Sequence, residues 1–175
     1  MNTTPARRVI TGVDTDGQSV IESDGPATNV VSPLPNLVFH QVWQTSSMPA
    51  PVLAPDASAA IRGVEPPKNG TVIRVLDIPP IGTMPKDRAT VEKSFESLGA
   101  SHATVRSDRT ANMHKTVTVD YGIVIMGELT LILDRGETTL YPGDICVQRG
   151  TVHGWENRGK APCRIVFVLI DGVEP

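Results

Sequence analysis

The chain has 175 residues, a formal net charge of -3, 15 glycines and 15 prolines. That length suits one compact domain able to bury its own core. The charge excludes an electrostatic footprint for nucleic acid, and no run of Lys or Arg points to a membrane surface.

The N-terminal MNTTPARRVITG lacks the apolar core and cleavage site of a signal peptide. Every apolar run is of strand length, so no bilayer span is expected. Cys146 and Cys163 lie in or beside apolar runs, where cysteine acts as a small hydrophobe. A disulfide framework is not expected, and a reducing cytoplasm is the simplest compartment.

In chain order, RRVITGVDTDGQSVIESDG reads as two strands around a turn at Asp14–Gly17. LVFHQVWQT (37–45) alternates as a strand. Residues 46–70, rich in Pro, Ala and Gly, read as an irregular surface connection with no assigned role. TVIRVLDIPP (71–80) is a strand closed by prolines. PKDRATVEKSFESLGA (85–100) is the one helix, with Val91, Phe95 and Leu98 on one face. Asp87 or Thr90 can cap its start, and Gly99 suits its end. It either shuts one end of a pocket or simply caps the sheet. Residues 101–113 are polar and read as a loop.

GIVIMG, LTLILD, TTLY, DICVQ, HGWEN and CRIVFVLID follow as six short strands separated by turn signals. That spacing predicts an all-β, antiparallel sandwich or barrel. Residues 1–70 are expected to pack as strands and loops on a barrel formed by 71–175, the whole being one structural domain.

His114, Asp120 and His153 are the residues that could carry chemistry. Six residues of straight strand span roughly 20 Å. His114 and Asp120 can therefore share an ion only if the chain bends between Thr116 and Val119, or if His114 ends a preceding strand. Each residue also has a plain structural reading. Asp120 could cap turn amides, His114 could be solvated beside Lys115, and His153 could line a barrel bonded to a carbonyl. Gln148 and Trp155 are candidates for a substrate pocket. Tyr121, of opposite parity to Asp120, is expected to face outward. His40 and His102 do not rise above background.

The interval from Asp120 to Gly127, the PGD turn at 142–144, and Gly143 through His153 to Asn157 resemble the two motifs of the cupin superfamily. MHKTVTVDYGIVIMGE and VQRGTVHGWEN resemble small single-domain cupin proteins more closely still. The resemblance implies an antiparallel jelly-roll β-barrel, to which the residue pattern adds one short helix near 88–99. It also implies one divalent transition metal (Fe, Mn, Ni or Zn) held by His114, Asp120 and His153. The chain departs from the motif in having Thr116 where a second histidine is usual, and Asp120 in place of glutamate. The expected function is a metal-dependent cupin acting on a small organic molecule, of dioxygenase, decarboxylase or isomerase type. The alternative is a non-catalytic barrel that binds a small ligand. A metal-free sugar-nucleotide epimerase, with Arg106 and Arg109 at the nucleotide, ranks third. A homodimer built through segments 8–22 and 37–45 is expected.

Overall fold

The computed structural model describes residues 4–174. The elements are β1 (Arg7–Val13), β2 (Ser19–Pro26), β3 (Asn29–Leu34), β4 (Leu37–Thr45), β5 (Thr71–Ile78), α1 (Arg88–Ser97), β6 (Thr118–Met126), β7 (Leu129–Leu133), β8 (Glu137–Leu140), β9 (Ile145–Arg149), β10 (His153–Glu156) and β11 (Cys163–Asp171). A six-stranded sheet runs β3-β4-β5-β11-β6-β9, a three-stranded sheet runs β10-β7-β8, and β1-β2 form a separate hairpin. Every pairing is antiparallel. This is the all-β antiparallel architecture expected from the strand spacing, in the jelly-roll form that the resemblance implies.

The two larger sheets close on each other through alternate residues. Ile78 of β5, Val124 of β6, and Cys163, Ile165, Phe167 and Leu169 of β11 point inward, where they meet Leu129 of β7 and Trp155 of β10. Period-two alternation puts these on one face, and burying that face drives the closure. Gly122 of β6 matters here. A Cβ at this position would lie 2.8 Å from the Phe167 ring, so the bare Cα makes room for that side chain.

The β1-β2 turn falls where the sequence put it. Asp14 Oδ1 accepts from the backbone N–H of Asp16 and Gln18, and Gly17 takes φ +76°. Strand β3 is an addition to the sequence reading. Its NVVSPL carries a proline, which obscures a strand, but β3 lies at the sheet edge where a missing N–H is tolerated. Helix α1 is capped by Asp87, whose Oδ1 accepts from the Thr90 N–H at 2.9 Å, and Gly99 follows it at φ +66°. The 46–70 segment is fastened to the barrel by Arg8, which reaches Asp56 at 2.6 Å and the Ser58 hydroxyl at 2.8 Å. Both cysteines are free thiols, and no described helix is long and apolar enough to cross a membrane.

Candidate functional site

A cavity of about 490 Å³ opens between the two sheets and helix α1, a size suited to a small organic ligand. Its walls are mostly apolar: Phe39, Leu76, Val91, Phe95, Leu98, Trp155, Phe167 and Leu169 all face it. Three polar side chains set deep in the wall are Arg74, His114 and His153. Helix α1 therefore helps to shut the cavity, with Phe95 5.2 Å from the His114 ring.

The two histidines meet because their backbones pair. His114 lies before β6, in an isolated antiparallel bridge with His153, and each N–H donates to the other's carbonyl at 2.8 and 2.9 Å. Residues paired in this way present their side chains on the same face, and the ring centroids stand 4.2 Å apart. Gly154 permits the approach. A Cβ there would lie 2.6 Å from the Asn112 side chain and 2.7 Å from that of Thr110, so the segment leading into His114 can lie flat across β10.

Main-chain carbonyls orient both rings. His114 Nδ1 lies 2.8 Å from the Asn112 carbonyl and His153 Nδ1 lies 2.9 Å from that of Thr151. A carbonyl only accepts, so each Nδ1 carries the proton and each Nε2 keeps its lone pair. Burial lowers the pKa of His114. Burial, and next the His114 ring, lower that of His153 to about 3. Both imidazoles are neutral at neutral pH.

Asp120 is placed apart from the pair. It lies on β6, facing inward and buried, with Gln148 of β9 and Leu169 of β11 as register partners. Gln148 lies between it and His153, with its amide nitrogen 3.0 Å from His153 Nδ1, but with that ring nitrogen protonated the amide donates to Thr151 instead. Burial raises the Asp120 carboxyl to about 6, against the opposing pull of Thr118 and Arg74. Its Oδ1 is buried without a hydrogen-bond partner. Among the described residues, no three His, Cys, Asp or Glu side chains gather as one metal-sized group.

Of the two pocket residues expected from sequence, Trp155 lines the cavity and packs edge-on against His153 at 5.8 Å. Gln148 does not line it, because its amide nitrogen is spent on the Thr151 carbonyl and hydroxyl. Tyr121 is exposed on the outer face. Arg109 is engaged at the surface with Glu137 at 3.3 Å. The sequence reading missed Arg74. Its signal was a cation in the middle of TVIRVLDI, at the parity of the inward residues Val72, Leu76 and Ile78.

A cupin domain model matches residues 102–169. The Phomopsin biosynthesis cluster protein C' of Diaporthe leptostromiformis is 31% identical over 94% of this chain and 77% of its own length. The cupin-domain-containing oxidoreductase fogC of Aspergillus ruber is 30% identical over 94% of this chain and 71% of its own. A cupin 2 conserved barrel domain protein from Salinispora arenicola superposes with a TM-score of 0.41 at 14% identity, covering 78% of this chain and 76% of the other.

Proposed function

This chain belongs to the cupin superfamily, and we propose that it is an oxidoreductase-type member acting on a small organic molecule held in the cavity between its sheets. His114 and His153 are the working groups, and a divalent transition metal (Fe, Mn, Ni or Zn) is the cofactor. The observation that carries this is the pair of neutral imidazoles, 4.2 Å apart, in a ligand-sized apolar cavity. The oxidoreductase names of its relatives support the reaction class.

The donor set fits a metal at two positions. Metal-binding histidines commonly give their other ring N–H to a carbonyl or carboxylate, and both rings here do so to the main chain. Asp120, the third donor expected from the sequence, keeps a buried Oδ1 without a partner but stands outside a metal-sized group with the pair. A bound metal would supply Lewis-acid chemistry, and redox chemistry as well if it is Fe, Mn or Ni but not Zn. The chain's own residues do the rest. The apolar wall excludes water from the ligand, and each Nε2 lone pair can hold a metal or take a proton. The ring stack from Phe95 through His114 and His153 to Trp155 fixes the imidazoles in place.

A second reading is a barrel that binds a small ligand without turnover. The absence of a gathered three-donor set among the described residues favours it. Elemental analysis of protein purified without added metal, beside His153→Ala and Asp120→Ala, separates the two. About one transition metal per chain, lost in both variants, supports the metal reading. Oxygen uptake with phenols, diketones and keto acids then tests turnover. No metal in the wild type, and none taken up on titration, leaves the ligand-binding reading.

The second partner we propose is another copy of this chain. Tyr121 and Ile125 of β6 and Ile145 and Val147 of β9 stand exposed on one outer face, and the β1-β2 hairpin exposes Val9, Val13 and Ile21. Strand β4 (37–45), expected to pair across the interface, is bonded on both sides by β3 and β5 and has no free edge; burying the β6-β9 face against the hairpin would instead pair two copies. A dimer mass by light scattering at micromolar concentration is expected, and a monomer mass refutes it.

A further inference from the structure

Arg74 is a buried cation in the cavity wall, and the proposed function gives it no task. It sits at the centre of β5, 2% exposed, between Gln41 of β4 and Phe167 of β11. Its Nη2 donates to the Gly63 carbonyl at 3.1 Å, while Nε and Nη1 are buried without any partner. Burial lowers its pKa, but only to about 10, so the guanidinium stays charged at neutral pH. Asp120 is the carboxylate that acts on it, yet from a distance, since the two form no ion pair among the described residues. Gln41 does not relieve it, because the buried amide oxygen of Gln41 is also unpartnered.

A buried charge is ordinarily paired. Here a guanidinium with open N–H donors faces a ligand-sized, mostly apolar cavity, and the other charged lining residues, Lys86 and Glu156, keep more contact with water than Arg74 does. An anion brought in by the ligand would complete the pairing, and a planar carboxylate matches the guanidinium best. We propose that the cavity takes an apolar molecule bearing a carboxylate, and that Arg74 receives that carboxylate. The position also orients the ligand. Arg74 is the register partner of Phe167, Phe167 packs on Trp155 at 5.4 Å, and Trp155 packs on His153. With its carboxylate at Arg74, the ligand lies along these two rings and turns its far end to the imidazoles. This deepens the proposed function by naming a substrate class. It rests on the cavity being a ligand site and does not require the metal.

The test compares naphthoate with its neutral isostere naphthamide by isothermal titration, on the protein as purified and again with a chelator present. The wild type is expected to prefer naphthoate by roughly tenfold or more, the size of a charge-assisted hydrogen bond. Arg74→Met should abolish the preference and Arg74→Lys should keep part of it. Both should retain the metal content of the wild type, which separates failure here from failure of the metal reading. Equal affinity for the two probes in the wild type overturns the proposal. So does a preference that survives in Arg74→Met, or one that vanishes with chelator, which would assign the carboxylate to the metal. Thermal unfolding checks that each variant is folded. If Arg74→Met is not, the wild-type probe pair and Arg74→Lys still decide.

Discussion

Strand β5 carries two buried charges three residues apart, on opposite faces, in opposite circumstances. On the outer face, Asp77 accepts from Arg164 Nε at 2.6 Å and Nη2 at 2.7 Å, and lies 2.9 Å from His40 Nε2. On the inner face, Arg74 makes one hydrogen bond and leaves two nitrogens bare. Burial alone therefore does not mark a functional group, since Asp77 and Arg74 are about equally hidden. What separates them is whether the fold itself supplies the partner. The Asp77 cluster is closed and holds β4, β5 and β11 together. The Arg74 side is open, and its open donors face the cavity.

Substitutions on the two faces should move stability in opposite directions. The largest effect is expected at Asp77. Replacing one partner of a buried pair strands the other, at about 3–5 kcal/mol, toward the lower figure because the Arg164 side chain keeps 24% of its surface in water. Asp77→Asn should show this loss in urea unfolding at pH 7. Burial works against the charged form of Asp77, and the bonds from Arg164 and His40 outweigh it, leaving the carboxyl below its ordinary 3.8. Its contribution is therefore present above pH 3.8 and lost as pH falls through the lower folded value. The wild type should lose stability over that window more steeply than Asp77→Asn.

Arg74→Met should do the reverse. Exchanging a poorly paired buried charge for an apolar side chain of similar volume is neutral or stabilising, here by on the order of 1–4 kcal/mol. A loss as large as that at Asp77 would break the comparison and make Arg74 a structural residue.

The smallest effect is expected at Asp120. Its carboxyl is raised by burial to about 6 from 3.8, so its ionisation disfavours the folded state. The protonated form contributes fully below pH 3.8, and that contribution is lost as pH rises through 6. Asp120→Asn in metal-free protein should gain on the order of 1–3 kcal/mol at pH 8 and almost nothing at pH 4. A variant destabilised at pH 8 would show instead that Arg74 depends on this carboxylate.

The C-terminal half was the more legible part of the sequence. Its strands are short, alternate cleanly and end in glycine turns, so GIVIMG, LTLILD, TTLY, DICVQ, HGWEN and CRIVFVLID all fall on observed strands. β3 was hidden by Ser32 and Pro33. His114 and His153 could be singled out by motif, but their contact depends on a two-residue bridge between segments 39 positions apart in sequence, which no local pattern encodes. The spacing argument did allow His114 to stand off the strand of Asp120, and it does. The two faces of β5 could have been separated by parity, since Arg74 shares the inward parity of Val72 and Leu76 while Asp77 does not. Which of the two charges lacked a partner was not readable, because Arg164, His40 and Gly63 come from distant parts of the chain. Residues 46–70, without a role in the sequence, supply Gly63 to Arg74 and Val64 to the cavity wall.

The protonation pattern of the two histidines is written into the main chain. Asn112 and Thr151 hold the rings through carbonyl oxygens, and every amino acid carries a carbonyl. No side-chain replacement at 112 or 151 deletes the acceptor that sets the tautomer. The walls of the cavity can therefore diverge widely, through Phe39, Leu76, Phe95 or Leu98, while the imidazole pair keeps its orientation. Such an arrangement is evolvable. The ligand that the cavity favours can drift or be engineered by changing the lining, with the imidazole pair held by atoms that mutation does not reach.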